Sequence, residues 1–432
     1  MERRGLAGIL EIDVKIGDGT IGAGFDREAQ LILRCLRHCA TRPVANDAAA
    51  DFAVAETDSE LARACDHVDW ERLTRAAATH GVLPLVYRRL KTVRDLPPEA
   101  LTRMRAEFYG NSLNNLHLTR ELVRLIGLLK AKGIGAIAFK GPTLALKAWG
   151  EVALRQFNDL DLLVHPSDAA VAAEVLIGAG YWPRTFDRDH PARSIARRCE
   201  DEFMRPGSPW MIDLHWGLNP AYFDYGPNAS SVWARAEAID VEGAEVLTLA
   251  PADLVLFLAV HATKHGWINL GWVCDFDETL RAIADADLPV ILAAARRSGC
   301  LRMFLLGVAL AADLLDAPTP PVFADALRRD RSIASLVGGI ERRLFASIGM
   351  QARLHSEWIV PLRTIPGLGG RLRYLASRAL TPNVDDFDFL PLPQMLYPAY
   401  YAMRPFRLAW QQGRRLFVDV PHPLKRLRGA PR

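Results

Sequence analysis

The run Asn158-Asp159-Leu160-Asp161-Leu162-Leu163-Val164 leaves the chain few ways to fold around it. Acidic and apolar residues alternate and then give way to consecutive aliphatics, the signature of a strand. On a strand, positions i and i+2 share a face, so Asp159 and Asp161 point the same way, about 6–7 Å apart at Cα. Two such carboxylates can bridge a pair of divalent cations about 3.5–4 Å apart, as in-line phosphoryl transfer requires. They are hard oxygen ligands, suited to Mg²⁺ or Mn²⁺. Taken alone, D-x-D more often marks a strand end whose acids face solvent, and its surroundings decide between the two readings.

About twenty residues upstream, Ile134–Phe139 forms an apolar run of strand length, closed by Lys140-Gly141-Pro142. Thr143 is placed to cap a helix running through Trp149 and ended by Gly150. A glycine at a strand-to-helix turn lets backbone N–H groups and the helix N-terminus approach phosphates closely. Lys140 and Thr143 could add a charge and a hydroxyl there, and Arg155 is either a phosphate contact or one half of an ion pair. After the acidic strand, a helical stretch over Ser167–Ala179 leads to strand candidates at Cys199–Arg205 and Trp210–Trp216. The turn Pro206-Gly207-Ser208-Pro209 separates them. Asp213 sits within the second of these, amid hydrophobes, where an aspartate is costly unless paired or metal-bound. Pairing it across the sheet with Asp159 and Asp161 gives a three-carboxylate site. His215 shares the face of Asp213 and is either a site residue or a hydrogen-bonded core histidine. The expected order is strand, helix, strand, helix, strand, strand, an α/β unit of about 85 residues.

Helical periodicity dominates on both sides. Pro97 and Pro98 fit the first turn of a long helix ending near Lys132-Gly133. Pro251–His265 restarts helix, and His261, Lys264 and His265 fall on one turn of it, where they could contact a nucleotide or its acceptor. No glutamate accompanies the two histidines in HEXXH form. The expected organisation is a loose tail over 1–25, a helical domain over 26–133, a catalytic module over 134–250, a helical domain over 251–350, and a Pro/Arg-rich basic region over 351–432. Six cysteines without a CxxC pair read as structural thiols rather than a disulfide framework. The formal net charge of +3 excludes bulk polyanion binding. The balance is uneven, since residues 401–432 carry eight basic residues against Asp419 alone. That arm could lie on anionic lipid or contact nucleic acid, although a solvated or docked arm is the plainer reading. The N-terminus does not read as a signal peptide, and a cytoplasmic location is expected.

The run FKGPTLALKAWGEVALRQFNDLDLLV, followed by a helix and IDLHW, resembles the uncharacterised nucleotidyltransferase group of the DNA polymerase beta superfamily. The segments DWERLTRAAATHGVLPLVYRRL and HATKHGWINLGWVCD resemble that group's flanking regions, so the resemblance spans roughly residues 65–285. It implies an α+β fold, a polymerase-beta-like module of small mixed sheet and helices flanked by helical domains. It further implies a Mg²⁺-dependent transfer of a nucleoside monophosphate from an NTP to a hydroxyl or phosphate acceptor, with nucleic acid not the favoured substrate. Asp159 and Asp161 would hold the metals, and Asp213 would be a third ligand or the base. Gly141 would give phosphate room, and Lys140 or Arg155 would offset triphosphate charge. The sequence departs from the wider superfamily pattern where Lys140-Gly141 replaces Gly-Ser. The alternative expectation is a catalytically silent nucleotide-binding or assembly protein on the same fold.

Overall fold

The computed structural model describes residues 26–37, 60–94, 96–345, 358–382, 386, 389–390, 392 and 396–418. The expected N-terminal tail, His38 and Cys39, and the four basic residues beyond Asp419 lie outside them. The helices that come first include α1 (Arg27–Arg37), α2 (Trp70–Thr79), α3 (Leu83–Leu90) and α4 (Pro98–Lys130). Helix α4 begins at the expected proline, whose fixed φ suits a first turn where no N–H partner is needed.

The seven strands are β1 (Ala136–Ala138), β2 (Asp159–Val164), β3 (Trp182–Pro183), β4 (Glu200–Met204), β5 (Met211–His215), β6 (Glu237–Val241) and β7 (Ala244–Thr248). They form one mixed sheet in the order β3-β4-β5-β2-β1-β7-β6. Strand β2 runs antiparallel to β1 and parallel to β5, and β4 is antiparallel to β5. Between β1 and β2 lies α5 (Gly141–Trp149), and after β2 comes α6 (Ala169–Gly178). Beyond the sheet, α7 (Pro251–Lys264) and α8 (Leu270–Arg281) open a run of helices that continues through Ser332–Phe345.

The period of two on β2 and β5 sorts their side chains between two environments. Leu160, Leu162 and Val164, with Ile212 and Leu214, face one way and join the main core. They pack with Leu118, Leu122, Leu125 and Leu129 of α4, and with Ala169, Ala172, Ala173 and Leu176 of α6. The other face carries Asp159, Asp161, Asp213 and His215. Phe139 roofs that face, with its ring 5.0 Å from the His215 ring and 5.0 Å from Phe257 of α7.

The sheet holds three more strands than the expected order. Strand β3 has only two residues, and β6 is an edge strand whose side chains are mostly exposed, so neither shows strong apolar alternation. Strands β6 and β7 join through Glu242-Gly243, both at positive φ (51° and 81°). Asn-Gly or Asp-Gly is the usual signal for such a turn, and glutamate conceals it.

By its contacts the chain divides into two compact units. One comprises residues up to 219 and 225–364, and contains the whole sheet. The other comprises 220–224 and residues from 365 onward. The second unit contains helices Leu368–Leu380 and Ala399–Val418, in a region whose sequence does not resolve into clear elements. Pro405 lies inside the second of these helices. Among the described residues, no helix is long and apolar enough to cross a membrane.

Candidate functional site

The turn between β1 and α5 is built for close approach. Gly141 has φ +56°, and a Cβ there would stand 3.2 Å from the backbone oxygen of Asp159. Helix α5 starts at Gly141, with Lys140 as its N-cap residue. Thr143 is therefore not the cap, because Pro142 is already preorganised for the first turn. Its hydroxyl is fully buried and shared between the carbonyls of Ala138 (2.9 Å) and Lys140 (3.0 Å), which pins the turn.

The loop from α5 to β2 is held by three asparagines of α4. Asn111 Nδ2 donates to the carbonyls of Ala153 and Arg155, both at 3.1 Å. Asn115 Nδ2 donates to Val152 (2.6 Å) and Arg155 (2.7 Å). Asn114 Nδ2 donates to the Phe157 carbonyl (3.0 Å), while its Oδ1 accepts from Trp210 Nε1 (2.7 Å). These residues are absent from the sequence expectations, yet a signal exists. Asparagine is a poor helix former, and three of them on one face of a helix point to a task other than helix formation.

Asp161 and Asp213 are direct neighbours across the parallel β2–β5 pair. Around Asp161, which is 2% exposed, charges gather closely. Lys140 Nζ lies 2.5 Å from Asp161 Oδ1, and His215 Nε2 lies 3.2 Å from the same oxygen. On its other side, His215 Nδ1 is 2.9 Å from Glu200 Oε2, an ion-pair distance that is not aligned as a hydrogen bond. Glu202, beside Asp213 on β4, pairs with Arg184 at 2.7 Å. Two carboxylate oxygens, Asp161 Oδ2 and Asp213 Oδ1, are buried with no hydrogen-bond partner.

These contacts set the protonation states. Burial opposes a charge on His215, but Glu200 and Asp161 override it and push its pKa up to about 9. Burial likewise opposes the Lys140 ammonium, and Asp161 and Asp159 nevertheless hold its pKa above the ordinary lysine value. Burial would raise Asp161, yet Lys140 and His215 lower it. Asp213 has less relief: burial and the charge of Asp161 push it to about 7, against the pull of His215. Asp159 is raised by burial and by Asp161. Glu200 is lowered despite burial, first by His215.

The other expected residues form a second group. Arg155 Nε donates to Asp275 Oδ2 at 2.8 Å, and Trp149 Nε1 donates to Asp275 Oδ1 at 3.1 Å. Arg155 Nη1 is buried without a partner. The rings of His261 and His265 lie 4.9 Å apart, each within 6 Å of Trp272. Burial, then the charge of Lys140, drives His261 well below its ordinary pKa, so it is a neutral imidazole. Lys264 is close enough to Glu200 to help lower its pKa. The structure thus brings Lys140, Asp159, Asp161, Asp213 and His215 together, adds Glu200, and sets Arg155 on Asp275.

Donor atoms of Asp161, Asp213 and His215 lie within 4.8 Å of one another, a group able to hold a metal ion. The class defined so far is a mixed α+β protein with a buried, cation-ready acidic cluster on one sheet face. The chain belongs to the uncharacterised nucleotidyltransferase family, whose family model matches residues 66–316, more than half its length. No curated protein matches it.

Proposed function

We propose that this protein is a metal-dependent nucleotidyltransferase, moving a nucleoside monophosphate from an NTP to a hydroxyl or phosphate acceptor on a polymerase-beta-like module. The observation that carries this reading is the pair of buried, unpartnered oxygens, Asp161 Oδ2 and Asp213 Oδ1, on adjacent strands of a family member. Orphaned buried carboxylate oxygens are expensive, and a divalent cation is the partner their chemistry fits. Asp161 and Asp213 would hold Mg²⁺ or Mn²⁺, with Asp159 beside them. The bound ion would supply charge stabilisation for the transferring phosphoryl group. Gly141 is packed against Asp159, so a phosphate contact at α5 would fall to the N–H groups of its first turn. Arg155 has one free guanidinium nitrogen to offer a phosphate oxygen. Most of the catalysis would be positioning and electrostatics. A cytoplasmic location belongs to this proposal.

The test pairs metal titration with turnover. Mn²⁺ binding followed by calorimetry, and release of pyrophosphate from each NTP across an acceptor panel, are measured for the native chain and for Asp161→Asn and Asp213→Asn. The expected loss is at least about a hundredfold in both, the upper end of what removing even an outer partner costs a metal site. Unchanged activity in Asp161→Asn would sink the reading.

One observation favours a second reading. Lys140 and protonated His215 already place two positive charges on Asp161. Those charges suit a protein that binds nucleotide without turning it over. Nucleotide binding with no pyrophosphate release, unaltered by Lys140→Ala, would favour it.

A further inference from the structure

Ten of the seventeen exposed large hydrophobic side chains among the described residues lie between residues 368 and 410. They are concentrated in the second compact unit, and they are turned the wrong way for water. In the helix Ala399–Val418, Arg404 and Arg407 are buried, 4% and 7% exposed, along with Tyr400 at 1%. Both arginines pair with Asp386, Arg407 through Nε at 2.5 Å from Oδ1. Arg404 Nε also donates to the Arg378 carbonyl at 3.0 Å, which ties this helix to Leu368–Leu380. Two large aromatic residues of the same helix face outward instead: Phe406 is 77% exposed, and Trp410, one turn on, 63%. The partner helix also turns apolar side chains to water. Tyr374 is buried against Phe223, with ring centroids 5.8 Å apart, while Leu368, Leu372 and Leu375 point outward at i, i+4 and i+7. In water a helix normally buries its apolar stripe and exposes its charges. Here charge is neutralised inside and apolar surface lies outside.

The charge on this unit selects what covers it. The helices Leu368–Leu380 and Ala399–Val418 contain seven arginines and no acid. Residues 365–432 hold eleven basic residues against four aspartates, one of which, Asp386, is taken by Arg404 and Arg407. A second copy of the same face would bring like charges together. A negatively charged surface with an apolar layer beneath it satisfies both features: arginines reach the headgroups while Trp, Tyr, Phe and Leu enter the boundary below them. Since neither helix is long and apolar enough to cross a membrane, the contact is interfacial.

We propose that the exposed apolar side chains Leu368, Leu372, Phe406 and Trp410 of these two helices dock the protein on an anionic lipid bilayer, with the helices lying in the headgroup region. This does not depend on the nucleotidyltransferase reading.

The experiment is co-sedimentation of the full chain with two kinds of vesicle: phosphatidylcholine mixed with phosphatidylglycerol, and phosphatidylcholine alone. Both are run at low and high salt. The expected result is binding to the anionic vesicles that weakens with salt, and little binding to the neutral ones. Phe406→Ser with Trp410→Ser removes two side chains that are mostly exposed. Affinity should fall roughly tenfold or more in that double variant, with an unchanged melting curve. Leu368→Ser with Leu372→Ser should act the same way from the other helix. Absence of binding to the anionic vesicles overturns the proposal, as does binding that both double variants leave intact. A chain that ignores vesicles but changes from oligomer to monomer in the double variants assigns the face to a second copy, which also overturns it.

Discussion

Gly141 and Gly150 bracket the helix that precedes the acidic strand, and both sit at positive φ, +56° and +74°. They differ in what surrounds them. A Cβ at Gly150 would meet nothing within 4 Å, whereas at Gly141 it would press on the Asp159 backbone oxygen at 3.2 Å. Gly150→Ala should therefore cost only the left-handed backbone penalty, about 1–2 kcal/mol. Gly141→Ala should cost that plus about 1–3 kcal/mol for crowding a carbonyl that cannot yield without moving β2. Denaturant midpoints for the two variants check this, and equal losses would mean that the turn is not seated against β2. At this scale the sequence is most readable where the geometry is local. Asp159 and Asp161 share a face because a strand has period two, whatever surrounds it. Asp213 is legible because an acid within Trp210-Met211-Ile212 and Leu214-His215-Trp216 needs a partner. The seat of Lys140 on Asp161, and of Glu200 on His215, comes from the pairing of β2 with β5, of β5 with β4, and of β2 with β1, whose following turn carries Lys140. No spacing along the chain encodes it.

Elements carry the site through the loop that α4 restrains. Asn115 is fully buried in α4, and its amide serves two carbonyls, Val152 and Arg155, on the approach to β2. Asn115→Ala strips the Val152 carbonyl of its side-chain donor and leaves the Arg155 carbonyl to Asn111, which should destabilise the protein by about 1–3 kcal/mol. The effect should also be placed: amide exchange should quicken over residues 150–158 while the middle of α4 stays protected, as measured by hydrogen–deuterium exchange mass spectrometry. Uniform loss of protection along α4 would assign Asn115 to helix stability alone. Long helices and the strands β1, β2, β4 and β5 are readable from periodicity and from their glycine and proline boundaries. The elements that escape are those whose signal is weak for a physical reason. The β6–β7 hairpin turns through a glutamate held in a conformation that asparagine adopts more readily. The helix Ala399–Val418 hides because a proline lies inside it, which in a sequence reads as a helix boundary.

At the scale of the molecule, the fold carries an electrostatic cost that a bound cation would relieve, and that cost can be measured. Asp213 titrates at about 7 in the folded, metal-free chain against an ordinary value of 3.8, because burial and Asp161 oppose its charge. A carboxyl raised on folding contributes stability that is complete below the unfolded value and is lost as pH rises through the folded one. Metal-free Asp213→Asn should therefore match the native chain near pH 4 and overtake it by pH 8, by up to a few kcal/mol. Asp161→Asn should do the opposite, since Lys140 would lose its ion pair and protonated His215 would keep only Glu200, a loss of about 3–5 kcal/mol for a broken buried pair. Added Mn²⁺ reverses the order for the native chain. A ligand at a hundred times its dissociation constant stabilises by about 2.7 kcal/mol, and because the cation needs Asp213 ionised, its effect should grow as pH rises through 7. Asp213→Asn should show no such gain at any pH. Thermal melts of the three proteins across pH 4–8, with and without Mn²⁺, test the whole set. If Asp213→Asn is destabilised in the metal-free protein at pH 8, then Asp213 holds the sheet together, and its unpartnered oxygen is not evidence of a metal site.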